Sequence, residues 1–327
     1  MAIKSYLEAI KEGMRDEMRR DARVMVLGED VGPKGGVFGT TDGLHAEFGD
    51  WRVMDSPLAE SCIVGVAIGA ALAGLRPIAE IQFQDFILPA VDQIINEAAK
   101  MRYRSNNDWG VPMVVRAPFG GGIHGALYHS QSNEALFCNT AGLRVVVPST
   151  PHDAKGMLIS AIRNPDPVLF FEHKRLYRSV KGEVPDEEYT VPLNRARIAR
   201  EGNDIAIFTY GYMVHIALEV AERMENDGFE CEVVDLRSLL PLDRDAIIAS
   251  ARKCGKVLVA QEANLHVSVA SEVAAIVAEN CFEFLDAPVM RIGGPEIPAM
   301  PYAHVLEAEY IVTPEKLERK LQELAAY

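Results

Sequence analysis

Residues 55–81 read DSPLAESCIVGVAIGAALAGLRPIAEI, and this stretch sets a pattern that the rest of the chain follows. Ser56 suits an N-cap and Pro57 suits the first helical position, so the pattern predicts a helix that begins there. Residues 63–75 are almost all aliphatic or glycine, and a short apolar strand is predicted at 78–81. A buried helix followed by a buried strand is typical of an α/β protein.

Glu60 is the one charged side chain in this helix, and three glycines, Gly65, Gly69 and Gly74, follow it. Glycine costs a helix roughly 1 kcal/mol against alanine, so three of them indicate close approach of another backbone. On its position alone, Glu60 is explained as a first-turn carboxylate that complements the helix dipole.

Strands and helices alternate along the whole chain. An opening amphipathic helix carries Ile3, Leu7, Ile10, Met14 and Met18 on one face. Further helices are predicted at 61–73, 90–103, 152–162, 212–226, 243–253, 267–280 and 314–325, and strands at 24–27, 78–81, 113–115, 143–147, 168–171, 205–209, 231–236, 256–260 and 289–292. Apolar strands separated by helices predict a doubly wound parallel sheet.

The 327 residues predict two domains. The composition becomes charged and proline-broken near Lys181–Glu188, which is typical of a domain linker. We therefore expect a first α/β domain over 1–185, a linker over 186–200 and a smaller α/β domain over 201–327.

Composition excludes several classes of function. With 33 Lys and Arg against 47 Asp and Glu, the net charge is −14, which argues against nucleic acid and against an anionic membrane surface. No uncharged apolar stretch has transmembrane length and the N-terminus has no secretory pattern, so no membrane association is expected. The five cysteines are scattered, which predicts reduced thiols and a cytoplasmic location.

Two glycine-rich segments match nucleotide-binding motifs only weakly. Gly120, Gly122 and Gly125 have the dinucleotide spacing, but neither a clear helix start nor an acidic residue at the end of the next strand follows them. The segment 32–39 lacks the Gly-Lys-Ser/Thr of a phosphate-binding loop, so a flexible surface or interface turn is its simplest interpretation.

Other polar residues lie where open α/β sheets bind ligands. His124 and His129 are five residues apart with no third ligand nearby, a spacing that does not favour zinc. Each is either an exposed loop histidine or a group placed for proton transfer. Phe83 and Phe86 lie near the carboxyl end of a predicted strand, where Phe83 fits the core and Phe86 could face a ring.

Taken together, these segments resemble the β subunit of thiamin-diphosphate-dependent 2-oxo acid dehydrogenases, over essentially the whole chain. The segments that carry the resemblance are Gly28–Gly32, Gly35–Phe38, Pro57–Glu60, Glu80–Phe83, Arg102–Ser105, His129–Ser132, Pro148–Pro151, Phe171–Arg178 and Val234–Arg237. Within the family, Gly125–His129 and Pro298–Tyr302 are most similar to branched-chain members.

The resemblance implies a role for five residues. Glu60 would hydrogen-bond the aminopyrimidine ring of thiamin diphosphate and exchange a proton with it. Phe86 would pack on that ring and Leu58 would approach it. Gln82 and His129 would line the substrate end, with His129 contacting the carboxylate or managing a proton during acyl transfer.

The resemblance also implies partners. The family holds the cofactor diphosphate through Mg²⁺ with a Gly-Asp-Gly motif, and this chain has no such motif; its nearest text is Gly49-Asp50-Trp51. An α subunit would therefore supply the residues that bind Mg²⁺ and the diphosphate, in an assembly of two α and two β chains. A lipoylated acyltransferase core would accept the acyl group, although the chain departs from the family at Glu262–Ser268.

A K⁺ site built from carbonyl groups is implied as well. The positions that match it are Val111, Met113, Val114, Ala161, Asn164 and Asp166, the last of which replaces an asparagine found in some members.

The resemblance thus predicts oxidative decarboxylation of branched-chain 2-oxo acids. Pyruvate or acetoin as substrate stays open, because the α chain would shape much of the pocket. A non-catalytic scaffold subunit is a third interpretation, which the presence of Glu60, Gln82 and His129 together disfavours. A nicotinamide dehydrogenase is disfavoured, because this chain lacks the acidic residue that would bind the ribose.

Overall fold

The computed structural model describes residues 1–327, and the chain divides into two compact units. The first unit consists of residues 1–119 and 136–193, and the second of residues 120–135 and 194–327. The loop 120–135 is thus grouped with the second unit, although the residues on either side of it belong to the first.

The first unit contains eight strands and seven helices. The strands are β1 (Ala2–Ser5), β2 (Val24–Gly28), β3 (Val53–Asp55), β4 (Arg76–Glu80), β5 (Val114–Phe119), β6 (Arg144–Val146), β7 (Val168–His173) and β8 (Lys181–Val184). The helices are α1 (Tyr6–Arg20), α2 (Leu44–Phe48), α3 (Glu60–Leu72), α4 (Met101–Arg104), α5 (Glu134–Cys138, which starts in the loop), α6 (Pro151–Arg163) and α7 (Leu176–Ser179).

The main sheet of this unit is parallel and follows the order β6-β7-β5-β4-β2-β3. Every residue of β2, β5 and β7 is buried, so both faces of the sheet are covered. Strands β1 and β8 form a separate antiparallel pair. The structure confirms the α/β class and the doubly wound parallel sheet.

Local sequence signals explain where several helices begin. Ser5 and Glu8 form a capping box at the start of α1. The Thr150 hydroxyl accepts a hydrogen bond from the Asp153 amide (3.1 Å), and Pro151 occupies the first turn of α6. Helices α1 and α6 pack together closely at Gly13, where an added Cβ would lie 3.5 Å from the Lys155 carbonyl oxygen.

The second unit contains six strands and five helices. The strands are β9 (Arg197–Arg200), β10 (Ile205–Thr209), β11 (Cys231–Asp235), β12 (Ser238–Leu240), β13 (Lys256–Asn264) and β14 (Met290–Gly294). The helices are α8 (Met213–Asn226), α9 (Arg244–Cys254), α10 (Val269–Cys281), α11 (His304–Tyr310) and α12 (Pro314–Ala325). Its sheet order is β14-β13-β10-β11-β9, and β9 is its antiparallel edge.

The core of the second unit lies where α8 and α12 meet the sheet. Val220, Met224, Leu317, Leu321 and Leu324 are buried there together with the apolar strand residues. The three leucines recur at spacings of four and three along α12, so one helical face enters this core. The sequence predicts α12 with the bounds that the structure shows.

Three elements differ from the sequence-based predictions. Helix α3 begins at Glu60 and not at Ser56–Pro57: the Ser56 amide donates to the Gly28 carbonyl (2.9 Å), which keeps the chain extended beside β2. The predicted helix 90–103 is not one regular helix: after the 3-10 segment Gln84–Ala90 it contains the π-helical turn Gln93–Ala98 and the separate short helix α4.

The third difference concerns the segment 186–200, predicted as a linker. Its last four residues, Arg197–Arg200, form the edge strand β9. The strand was not predicted because two of its four residues are arginines, which interrupt the apolar pattern. In the structure, Arg197 forms an ion pair with the Asp235 carboxylate (3.3 Å).

Two further predictions concern the environment of the protein. None of the helices combines the length and the apolar character needed to cross a membrane. All five cysteines are free thiols.

Candidate active site

The candidate site residues of the first unit lie at the carboxyl ends of three neighbouring strands. Glu29 follows β2, Leu58 and Glu60 follow β3, and Gln82 follows β4. Strands β2 and β4 are adjacent at the point where the strand order reverses, and open α/β sheets bind ligands outside the carboxyl ends of strands at such a point. The fold thus brings together residues from separate segments.

Glu60 is the first residue of α3 and is half-buried. Burial and the negative charges of Asp30 and Glu60 raise the pKa of Glu29, so Glu60 has a second carboxyl group in its neighbourhood. Leu58, two residues before Glu60, is 73% exposed although it is apolar. The edge therefore combines carboxyl groups with an uncovered apolar side chain.

Aromatic rings form part of the same unit. Phe86 lies in the 3-10 segment that packs against α3, and its ring meets Phe83 edge-on with centroids 5.7 Å apart. Phe38, from the first glycine-rich segment, contacts Phe83 at 5.4 Å and Tyr177 at 5.2 Å. Phe86 and Phe83 are only half-buried, so Phe83 is not the simple core residue that its sequence position favours.

A buried ion network, which was not predicted from the sequence, lies below this edge. Arg116 is fully buried, and its guanidinium donates to Glu80 Oε2 (2.6 Å) and to both oxygens of Glu172 (2.6 and 2.7 Å). Tyr177 Oη also donates to Glu172 Oε2 (2.6 Å). Burial raises the pKa of Glu80. Burial also disfavours the charged form of Arg116, but the attraction of the two carboxylates is stronger than this effect and keeps the pKa of Arg116 above its ordinary value. The sequence contained one sign of this network: Arg116 is a charged residue between apolar strand residues, and a buried charge needs a charged partner.

The network fastens the first glycine-rich segment to the sheet. Thr40 Oγ1 donates to Glu80 Oε2 (3.1 Å), and the Gly32 amide donates to Asp55 Oδ1 (2.6 Å). Gly36 has φ +81°, and an added Cβ would lie 3.2 Å from Glu80 Oε1. These hydrogen bonds link the segment to the sheet, while Pro33, Lys34 and Val37 stay exposed, so a surface or interface turn remains the prediction for it.

His129 lies in the loop 120–135 of the second unit and is half-buried. It directly follows the 3-10 turn Ala126–Tyr128, and an added Cβ on Gly125 would lie 2.8 Å from the His129 carbonyl oxygen. Gly125 is thus required because the backbone approaches itself closely at His129.

Glu262 holds both ends of this loop. Its Oε1 accepts hydrogen bonds from the Gly121 amide (2.7 Å) and from the Ser132 hydroxyl (3.2 Å). The Gly120 amide closes the neck of the loop by donating to the Gln131 carbonyl (3.0 Å). The Glu262 side chain of the second unit therefore positions the loop that carries His129.

A second buried carboxyl group lies at the end of this loop. Glu134 is fully buried, and its Oε1 accepts a hydrogen bond from Tyr210 Oη (2.6 Å). Burial raises the pKa of Glu134 to about 7, even though the Tyr210 hydrogen bond favours the charged form.

The residues implied for K⁺ lie in the first unit. The Met113 carbonyl accepts a hydrogen bond from the Val168 amide (3.0 Å). The Ala161 carbonyl accepts one from the Asn164 amide (3.1 Å). The Asp166 carboxylate accepts from Arg102 Nε (2.5 Å). Two of the six implied residues, Val111 and Asp166, line a surface cavity of about 1190 Å³.

Comparisons with known proteins agree with this architecture. Residues 4–180 match the family model of the transketolase pyrimidine-binding domain, and residues 194–317 match that of the transketolase C-terminal domain. A solved structure described as a split-gene transketolase, an inactive β4 tetramer, superposes with a TM-score of 0.80 at 24% identity over 98% of each chain. The fold and the edge of its sheet therefore define a two-domain α/β protein of the transketolase class.

Sequence relatives narrow the class to a family. The chain is 60% identical to the 2-oxoisovalerate dehydrogenase subunit beta of Bacillus subtilis, with 100% of both chains covered. It is 49% identical to the pyruvate dehydrogenase E1 component subunit beta of the same organism, over 90% of this chain and 91% of the relative. The chain belongs to the family of 2-oxo acid dehydrogenase β subunits, whose cofactor is thiamin diphosphate, and the resemblance drawn from the sequence is confirmed.

Proposed function

We propose that this chain is the β subunit of a branched-chain 2-oxo acid dehydrogenase. It would act in the cytoplasm, decarboxylate the 2-oxo acid and pass the acyl group to the lipoyl group of an acyltransferase core. The observation that supports this most is the full-length similarity to a 2-oxoisovalerate dehydrogenase β subunit, 60% against 49% for a pyruvate dehydrogenase β subunit. The site at the β2–β4 edge provides the groups that the reaction needs.

The residues at this edge fit the aminopyrimidine half of thiamin diphosphate. Glu60 offers a half-buried carboxyl group beside Glu29, whose raised pKa shows that the surroundings disfavour negative charge. Phe86 and Leu58 offer aromatic and apolar surface for a ring, and Gln82 adds an amide. When bound, the cofactor supplies the carbanion-stabilising chemistry that releases carbon dioxide.

The chain's own residues would bind and move protons. Glu60 Oε would donate a proton to a pyrimidine nitrogen and take it back, as a positioned acid–base group does. Phe86 and Leu58 would exclude water from the ring. His129 would contact the substrate carboxylate or hold the proton that moves during acyl transfer, on a loop that Glu262 and Gly125 keep in one conformation.

An α subunit would complete the site. Helix α3 has no charged residue after Glu60, yet it leaves an apolar stripe exposed, formed by Cys62, Val66, Gly69 and Leu72. A helix that is apolar all round is normally buried, so this stripe requires a partner. Nothing in this chain lies within 4 Å of a Cβ added at Gly69, which leaves room for another backbone.

The remaining ligands follow from this arrangement. With no Gly-Asp-Gly motif in this chain, the α subunit would hold Mg²⁺ and the diphosphate, in an assembly of two α and two β chains. K⁺ would bind to carbonyl groups at Val111, Met113, Val114, Ala161, Asn164 and Asp166. The Arg102–Asp166 ion pair would fix the last of these residues.

Carbon dioxide release tests the proposed function. We would compare 3-methyl-2-oxobutanoate with pyruvate, using this chain alone and with a co-expressed α partner, in thiamin diphosphate and Mg²⁺. We expect activity only in the mixture, with preference for the branched acid. Preference for pyruvate would assign the chain to the pyruvate or acetoin branch of the family, and no activity with any 2-oxo acid would support a scaffold subunit.

A matched pair of variants tests the interface. Gly69→Leu puts bulk on the exposed stripe of α3, whereas Ala249→Leu puts the same bulk on an exposed position of α9. We expect Gly69→Leu to lower the affinity for the α chain at least tenfold and Ala249→Leu to leave it unchanged. Equal affinities of the two variants would remove α3 from the interface.

A further inference from the structure

Three side chains that are distant in sequence meet in the second unit. His124 from the loop 120–135 lies against His304 and Glu307 from α11. The two imidazole rings have centroids only 3.7 Å apart, and one ligand atom from each of the three side chains lies within 4.8 Å of the others. Two imidazoles and one carboxylate in contact form a set of donors that transition metals prefer.

We propose that His124, His304 and Glu307 bind a divalent transition-metal ion, with Zn²⁺ as the reference ion. All three side chains belong to the second unit, and none of them is among the residues assigned to the cofactor or the substrate. Zn²⁺ binds histidine nitrogen and carboxylate oxygen at about 2.0–2.2 Å, which places ligand atoms about 3.3 Å apart in a tetrahedron. The three donor atoms lie within 4.8 Å of one another, so side-chain rotations alone can bring them to that spacing.

The surroundings of Glu307 orient its carboxylate toward the histidines. Glu307 is only 3% exposed, and its Oε1 accepts hydrogen bonds from the amides of Gly122 (3.2 Å) and His124 (3.3 Å). These bonds leave Oε2 to contact His124 Nδ1. Hydrogen-bonded carboxylate ligands of this kind are usual in metal sites, because the second shell fixes the orientation of the first.

The backbone also supports a defined arrangement. His124 has φ +57°, a left-handed conformation that non-glycine residues seldom adopt. His304 and Glu307 are three residues apart on one helix, so their side chains lie on the same helical face. Both histidines are exposed, which gives an ion a path from solvent.

Charge favours a cation over a simple ion pair. Two neutral imidazoles and one carboxylate carry a charge of −1, and a divalent ion changes the total to +1. A shared ion satisfies all three groups. It would fasten the loop that carries His129 to α11.

Metal content and affinity test the proposal directly. The full chain would be treated with a chelator, dialysed, and titrated with Zn²⁺ by calorimetry, with bound metal measured by atomic emission. We expect one equivalent per chain in the wild type and at least a tenfold loss of affinity in His304→Ala. His266→Ala is the matched control, because His266 is exposed in the same unit and lies 3.5 Å from Glu296 without a second histidine. It should bind Zn²⁺ as the wild type does.

Two further measurements keep the outcomes distinct. Co²⁺ should give visible absorption of a low-coordinate nitrogen–oxygen site in the wild type and not in the His124→Ala, His304→Ala double variant. Zn²⁺ should raise the unfolding midpoint of the wild type and not that of His304→Ala, which also shows that the variant folds. If the wild type bound no zinc in the titration, or if the wild type and the double variant bound equal amounts, the proposal would be overturned. Activity assays are not needed for either result.

Discussion

The buried network around Arg116 gives the sharpest test of how the first unit is held together. Arg116→Met keeps the length of the side chain but leaves the carboxylates of Glu80 and Glu172 without a cation. Breaking a buried pair by removing one partner costs about 3–5 kcal/mol, because an uncompensated charge stays buried. Since 1.4 kcal/mol is tenfold, this corresponds to a factor of about 100 to a few thousand in the folded-state population.

Hydrogen exchange measured by mass spectrometry would report this change. We expect peptides that cover β4, β5 and β7 to lose protection by about that factor in Arg116→Met, since these strands carry the network. Arg19→Met is the control: Arg19 is mostly exposed and pairs with Glu47 at 2.5 Å, and an exposed pair contributes at most about 1 kcal/mol. Equal loss of protection in the two variants would refute the reasoning.

The pH dependence of the same variant provides a second check. Burial raises the pKa of Glu80 even beside Arg116, and without that cation the folded state holds the Glu80 proton more strongly than the unfolded state does. The stability of the variant should therefore increase as the pH falls from 8 toward 5, relative to the wild type. A difference that stays constant over this range would show that the carboxylates are not the cause.

Three other changes test single groups. Glu60→Gln should leave the unfolding midpoint unchanged and lower the decarboxylation rate by about 10²–10⁴, the usual contribution of a positioned acid–base group; a near-native rate would remove Glu60 from this role. His129→Ala should impair acyl transfer or substrate use, measured by turnover with the lipoyl acceptor, while calorimetry shows unchanged cofactor binding; wild-type turnover would reject that role. The pKa of Glu134 is raised to about 7 from 4.5, so its contribution to stability is present below about pH 4.5 and is lost as the pH rises through 7. Glu134→Gln should therefore match the wild type near pH 5 and exceed its free energy of unfolding by about 3 kcal/mol at pH 8, as measured by urea unfolding; a gap that does not change with pH would show that Glu134 does not titrate there.

Local patterns in the sequence predicted most of the secondary structure. Helix α12 and strand β10 have the predicted bounds, because their apolar periodicity is strong and Thr313–Pro314 marks the start of the helix. The prediction failed for the start of α3, where the Ser56 amide bonds to β2 instead of beginning a helix. Strand β5 extends past its predicted end at Val115 to Phe119, because buried carboxylates compensate the charge of Arg116.

The candidate residues divide in the same way. Glu60 and Phe86 could be singled out from short-range patterns, because one lies at a predicted helix start and the other just past a predicted strand end, whereas the role of Gln82 came from the resemblance to the family. The cluster of His124 with His304 and Glu307 could not, because about 180 residues separate its parts and only the folded chain brings them together. A periodic pattern records which face of an element is buried, whereas the partner of a buried charge or a metal-binding histidine depends on how distant elements pack.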